Sequence, residues 1–160
     1  MSPSIRLKLS SSIVVPQAPH EVWSFLSRPE NSPRWDRSVA TVEALDDVPL
    51  GVGWGGRTTA PSGMQQEFRM TRWEPERLFA FDLLESALFR EAVLTFTVDP
   101  VESGTEIVHD IGMKLRNPFV WPVLRFTARR ALGRDMQSLA RALSRDAGEA
   151  DDYRDRVAST

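Results

Sequence analysis

Apolar and polar positions alternate from the start of the chain. Ile5, Leu7, Leu9, Ser11, Ile13 and Val15 fall on one parity, and Arg6, Lys8, Ser10 and Ser12 on the other. A period of two predicts a strand with one buried face. Pro16 and Pro19 end it, and Pro19 suits the first turn of a helix, where a missing N–H costs nothing. Val22, Trp23, Phe25 and Leu26 supply that helix with an apolar stripe, and a second short helix or turn is expected around residues 31–35. Strand-like runs follow at residues 39–45, 57–60, 64–73, 78–84, 88–98 and 105–115. They are parted by turn signals such as Pro61-Ser62-Gly63, Glu74-Pro75-Glu76 and Glu102-Ser103-Gly104. Turns about every ten residues between alternating runs indicate an antiparallel meander.

From Pro118 the period changes. Leu124, Ala128, Leu132, Met136, Leu139 and Leu143 lie three or four apart, which marks one face of a helix running to about Arg145. Gly133 inside it lowers helix stability by about 1 kcal/mol relative to Ala, and a small residue there suits either close packing or a bend. Beyond Asp146 the chain turns acidic and polar, and the composition predicts a frayed or disordered tail. The expected organisation is one domain over residues 1–146 and a tail over residues 147–160. A curved sheet folded over one long terminal helix tends to enclose a cavity.

Composition narrows the class. A chain of 160 residues makes about one domain, long enough to bury roughly 70% of its unfolded surface. A hydrophobic content of 41%, a charged content of 26% and a net charge of −2 fit a soluble globular protein and give no ground for nucleic-acid binding. The absence of cysteine excludes disulfides, thiolate catalysis and Cys-ligated metal, and fits a cytoplasmic location. No signal-peptide run opens the chain and no stretch of about 18 apolar residues occurs, so no stable membrane insertion is expected.

Local residues carry a family resemblance. Ala18-Pro19-His20-Glu21-Val22-Trp23-Ser24-Phe25-Leu26 is followed by Pro29-Glu30-Asn31 and Pro33-Arg34-Trp35-Asp36. Gly51-Val52-Gly53, Trp73-Glu74-Pro75-Glu76-Arg77-Leu78 and Gly104-Thr105-Glu106-Ile107-Val108 continue the series. With the Leu-rich last helix, the chain resembles the SRPBCC (START-like) superfamily, and within it the polyketide cyclase/dehydrase-type proteins, over about residues 3 to 146. The resemblance implies an α+β helix-grip fold: a seven-stranded antiparallel sheet wrapped around a long C-terminal helix, with two short helices after the first strand. The matching positions are turns, caps and core, so they point to a fold and leave function open among cyclases, lipid carriers and ligand binders.

Candidate chemistry centres on His109. It shares a face with Ile107, Ile111 and Met113, and an imidazole among aliphatic groups is held neutral, able to donate and accept hydrogen bonds. A core histidine, a ligand anchor and a catalytic acid/base all remain open for it. The candidate ligand-binding set is built around that face. Trp35, Trp54 and Trp121 fall near element ends, where a cavity rim would lie, and flat rings there can stack on a ring-fused ligand. Phe68 and Met70, Phe79 and Phe81, and Phe96 share inward parities on their strands, as do Ile111 and Met113 on the last strand and Leu124 and Ala128 on the helix stripe. By parity Arg90 joins the inward set near the start of its strand, as a cation able to meet a carboxylate or enolate.

Other patterns carry less. Gly51, Gly53 and Gly56 satisfy Gly-x-Gly-x-x-Gly, but a strand follows instead of a helix, so no dinucleotide site is implied. Two histidines, His20 and His109, do not make a metal-ligand set, and no cofactor is expected. Arg125, Arg129, Arg130, Arg134, Arg141 and Arg145 give the last helix a basic stripe, read here as a solvated face. Phe119, Val120 and Trp121 form a small apolar cluster that leaves contact with lipid, or a homodimer, open. The leading functional reading is a binder of a small, mainly hydrophobic or aromatic ligand in a cavity between the sheet and the C-terminal helix. An enzyme of the cyclase/dehydrase type using His109, and a lipid carrier without chemistry, are the alternatives.

Overall fold

The structure, a computed structural model, describes residues 6–159. Ile5, assigned above to the first strand, lies outside them. Seven strands, β1 (Arg6–Val15), β2 (Thr41–Ala44), β3 (Gly55–Thr59), β4 (Gln65–Glu74), β5 (Leu78–Leu83), β6 (Phe89–Val101) and β7 (Gly104–Leu115), form one antiparallel sheet. Its order is β1-β7-β6-β5-β4-β3-β2, so β2 to β7 are a plain meander and β1 pairs with the last strand. Between β1 and β2 lie helix α1 (Pro19–Leu26) and a short 3₁₀ helix (Pro29–Arg34). A 3₁₀ turn (Pro118–Val120) leads into helix α2 (Trp121–Ala158). This is the α+β helix-grip arrangement, and no helix among the described residues is long and apolar enough to cross a membrane.

Local chemistry holds the two short helices against the sheet. Pro19 opens α1, and the Glu21 carboxylate reaches back to accept from the Ala18 N–H at 2.8 Å. Asn31 donates to the Phe25 carbonyl at 2.9 Å, tying the 3₁₀ helix to the end of α1. Thr105 at the start of β7 donates to the Gln17 carbonyl at 2.7 Å, which fixes the chain as it leaves β1. Arg34 pairs with Asp146 of α2 at 3.1 Å, an exposed contact worth little by itself.

Helix α2 divides its length between two seams. Met136, Leu139, Ala142 and Leu143 enter the main core with Val15, Val22, Phe25, Val98 and Ile107. Its earlier turns pack Trp121, Leu124, Ala128 and Leu132 over Leu7, Leu9, Ile111 and Met113 of β1 and β7. The helix therefore lies along the β1–β7 side of the concave face and leaves the β2–β6 side to α1 and the 3₁₀ helix.

Two details depart from the sequence pattern. The helix does not stop near Arg145 but runs to Ala158, so the expected disordered tail is helical. No proline interrupts it, and Arg156 pairs with Asp152 four residues earlier, the spacing that supports a solvated helix. Its last turns, from residue 148 on, are exposed on every side. The second detail is in β6, where the pairing shifts between Phe89 and Glu91. This bulge flips the parity of the strand start: Phe89 is buried and Arg90 is exposed.

Glycines mark where rings come close. A Cβ built on Gly56 would lie 2.5 Å from the Phe68 ring and 2.7 Å from the Trp54 ring, so its bare backbone is what lets both rings cross β3. At Gly133 a Cβ would meet nothing within 4 Å, so packing does not require that glycine. Gly56→Ala is expected to lower stability by about 1–3 kcal/mol through overpacking, whereas Gly133→Ala should raise it by about 1 kcal/mol through helix propensity. Equilibrium urea unfolding of the two variants checks both signs.

Candidate functional site

A single row of side chains crosses the concave face. The register pairs Ser11 with His109, His109 with Phe96, Phe96 with Phe79, and Phe79 with Trp73, on β1, β7, β6, β5 and β4. Opposed residues on one face of an antiparallel pair sit close enough for their rings to meet. The His109 ring lies on Phe96 at 3.9 Å between centroids and 15° between planes, and Phe96 stacks on Phe79 at 5.0 Å and 22°. Trp35, at the end of the 3₁₀ helix, closes edge-on to Phe96 at 5.8 Å.

Beside this row lies a hollow of about 590 Å³. Its floor is made by Phe68, Met70, Phe79, Phe81, Leu83, Leu94, Phe96 and His109 of the sheet, and its roof by Leu26, Pro29, Ser32 and Trp35. The rim comes from three loops: Asp36, Ser38 and Val39; Ala60, Met64 and Gln65; and Glu85, Ser86, Ala87 and Leu88. Met64, 73% exposed, and Leu88 stand at the solvent edge. Gln66 donates to the carbonyls of Leu84 and Glu67, and the Arg116 guanidinium donates to the carbonyls of Ser86 at 2.7 Å and Phe89 at 3.2 Å. These bonds hold the 84–88 loop in place.

The electrostatics of the hollow are unusual in two respects. His109 is only 5% exposed, and neither ring nitrogen has a hydrogen-bond partner among the described residues. Burial pushes its pKa down to about 3, so the ring is neutral at pH 7 and carries one donor and one acceptor, both buried. Unpaired buried polar atoms cost about 1–3 kcal/mol each, and such a group calls for an explanation. Among the described residues no lysine or arginine lines the hollow, while Asp36 and Glu85 stand at its rim. Near that rim Asp135 of α2 is pushed up to about 6, first by burial and then by the neighbouring Asp36, with Arg37 opposing both.

The structure brings Trp35, Phe68, Met70, Phe79, Phe81, Phe96 and His109 together around one hollow. It places the other sequence candidates elsewhere. Ile111, Met113, Trp121, Leu124 and Ala128 fill the seam between α2 and β1–β7, because the helix covers that side of the sheet. The hollow therefore lies under the 3₁₀ helix, with no described residue of α2 in its wall, instead of between the sheet and α2 as expected. Trp54 is buried against Phe68 at 5.7 Å, over Gly56, away from the rim. Arg90 is turned outward by the β6 bulge and offers the hollow no cation. The sequence reading missed the polar rim. The meander contained a signal for part of it, since the β3–β4 and β5–β6 connections of an up-and-down sheet must fall at the same end.

A seven-stranded antiparallel sheet gripping a long terminal helix, with a hollow on its concave face, defines a START-like protein. Residues 6–148 match the family described as polyketide cyclase / dehydrase and lipid transport, and the chain belongs to it. Solved structures share the fold. A START superfamily protein from Mycobacterium smegmatis is 16% identical with a TM-score of 0.71, over 86% of this chain and 97% of that one. A protein from Mesorhizobium loti is 17% identical with a TM-score of 0.69, over 87% and 98%. The di-domain ARO/CYC StfQ of the steffimycin biosynthetic pathway is 16% identical with a TM-score of 0.69, over 92% of this chain and 53% of that one. At these identities the likeness is one of fold. Among curated proteins none matches the chain by sequence.

The lowered His109 pKa fixes a sign for stability. Between pH 6.5 and about 3 the unfolded chain binds a proton at this position that the folded chain refuses, so its contribution is complete above 6.5 and is lost as pH falls. In that window wild type should lose up to about 1.4 kcal/mol per pH unit more than His109→Phe, which keeps a flat ring on Phe96. Urea midpoints of both proteins from neutral pH down to about pH 4 measure the difference, and parallel curves would place His109 in contact with water.

Proposed function

We propose that the hollow takes up a neutral, largely apolar, ring-containing small molecule, with His109 as its main polar contact. The observation that carries this reading is the unpartnered imidazole on an aromatic row at the floor of the hollow. A neutral ring with one free donor and one free acceptor matches a hydroxyl, phenol or keto group on the guest. A volume of about 590 Å³ lies within the usual range for small-molecule sites. The lack of cations in the wall, with carboxylates at the rim, disfavours a fatty-acid or phosphate anion. Phe79, Phe96 and Trp35 supply flat apolar surface for stacking.

Catalysis of the cyclase/dehydrase kind is the second reading, and the same free imidazole favours it. With a pKa near 3 the ring is a poor base at neutral pH, so its contribution would be an N–H donated to a substrate carbonyl as enolate character develops. The Phe79–Phe96 floor would then hold a flexible chain in a reactive conformation.

Quenching of tryptophan fluorescence tests the binding reading. A hydroxylated fused-ring aromatic should quench in a saturable way, and a long-chain fatty acid should not compete. His109→Phe should weaken the hydroxylated ring about tenfold while leaving the unsubstituted ring within about twofold. Recovery of a phospholipid or fatty acid from the purified protein by native mass spectrometry, or equal losses for both rings, would overturn it.

A further inference from the structure

We infer that the start of α2 and the preceding 3₁₀ turn form a docking surface for an anionic lipid bilayer, beside the mouth of the hollow. Its apolar surface, its charge and its position all point there.

The first is an apolar face without a partner. Trp121, Leu124, Ala128 and Leu132 satisfy the inner side of this segment. On its outer side Phe119 is 89% exposed, Val123 69% and Phe126 64%. Val123 and Phe126, three apart, share one side of the helix, and the exposed Phe119 stands in the 3₁₀ turn just before it. Two exposed phenylalanines and a valine side by side are costly in water and mark a contact surface.

The second is charge. Arg116, Arg125, Arg129, Arg130 and Arg134 fall within a stretch, residues 111–134, that holds no Asp or Glu. Among the described residues none of these five makes an ion pair. Arg125 lies over the Trp121 ring at 5.1 Å, and Arg130 over the Phe126 ring at the same distance. Arg125 thus flanks the packed side, while Arg130 lies on the exposed Phe126, an arrangement that suits the headgroup layer, where the exposed ring enters the acyl boundary and the guanidiniums stay among phosphates. The acidic groups of α2 begin only at Asp135, and most of them, Asp146, Glu149, Asp151, Asp152 and Asp155, lie in its far half, so the first turns are the cationic end of the helix.

The third is position. β7 ends at Leu115, and the Arg116 amide donates to the Leu88 carbonyl at 3.0 Å. Its side chain holds the carbonyls of Ser86 and Phe89. The apolar face thus begins next to the 85–88 rim of the hollow, where Leu88 is also exposed. Among the described acidic groups of that rim, Glu85 is the nearest in sequence to the patch.

Other occupants fit less well. In a twofold dimer the same patch would oppose itself and bring arginines against arginines. A nucleic acid would pair with the cations but has no apolar layer to receive Phe119, Val123 and Phe126.

The full chain, floated with sealed vesicles in a density gradient, tests this. It should rise with equimolar phosphatidylglycerol and phosphatidylcholine at low salt, stay down with phosphatidylcholine alone, and be released as salt increases. Substituting glutamine for Arg125, Arg129 and Arg130 should weaken binding about fivefold per cation. Phe119→Ser and Phe126→Ser should each weaken it about tenfold; both sites are exposed, and circular dichroism verifies their folding. The inference fails if the wild type does not float with anionic vesicles, or if flotation ignores the phenylalanines. It also fails if the protein binds duplex DNA or a second copy of itself through these residues and not vesicles. Ligand uptake is measured without vesicles, so it stands or falls separately.

Discussion

Antiparallel register places His109, Phe96 and Phe79 in a single row, and the rest of the site follows from that alignment. Stacking on Phe96 fixes the imidazole in the row, and neither of its nitrogens meets a hydrogen-bond partner among the described residues. Removed from water and given no partner, the ring stays neutral. A fold that only needed to be stable would put Phe or Leu there, since an orphaned polar pair in an apolar wall costs stability. Its presence beside a hollow is the reason the hollow is read as a site.

The roof makes the hollow possible. Because α2 runs along β1 and β7, the concave surface of β3 to β6 is covered by the thinner 3₁₀ helix and its Trp35. Six residues of 3₁₀ helix, two of them proline, cannot send down the thick apolar stripe that α2 sends into the core. The result is a wall without cations and a rim with carboxylates. The first turns of α2 and the 3₁₀ turn before them carry the opposite character, with several arginines beside the exposed Phe119 and Phe126. One end of the molecule therefore joins a neutral interior to a cationic, apolar exterior.

Alternation along each strand was enough to recover the meander, the concave set and the inward aim of His109. It did not reveal where the cavity sits, because parity assigns a face and says nothing about what covers that face. Ile111 and Met113 share the parity of His109, yet Leu124 and Ala128 seal them while the 3₁₀ helix leaves His109 beside space. Arg90 was misplaced for a different reason: a bulge of one residue reverses parity and has no mark of its own in the sequence. Trp54 resembled a rim residue until Gly56 was seen to give it room inside. The acidic composition after Asp146 looked like disorder because propensity and pairing within a solvated helix are weak signals beside net charge.

The neutrality of one buried ring underlies the account of the site, and nitrogen NMR of ¹⁵N-histidine-labelled protein reads it directly. At a pH of about 5, between the ordinary histidine range and the value near 3 set by burial, His109 should show one protonated and one bare ring nitrogen. Two protonated nitrogens at that pH would mean a solvated, charged imidazole, and the neutral aromatic site would have to be given up.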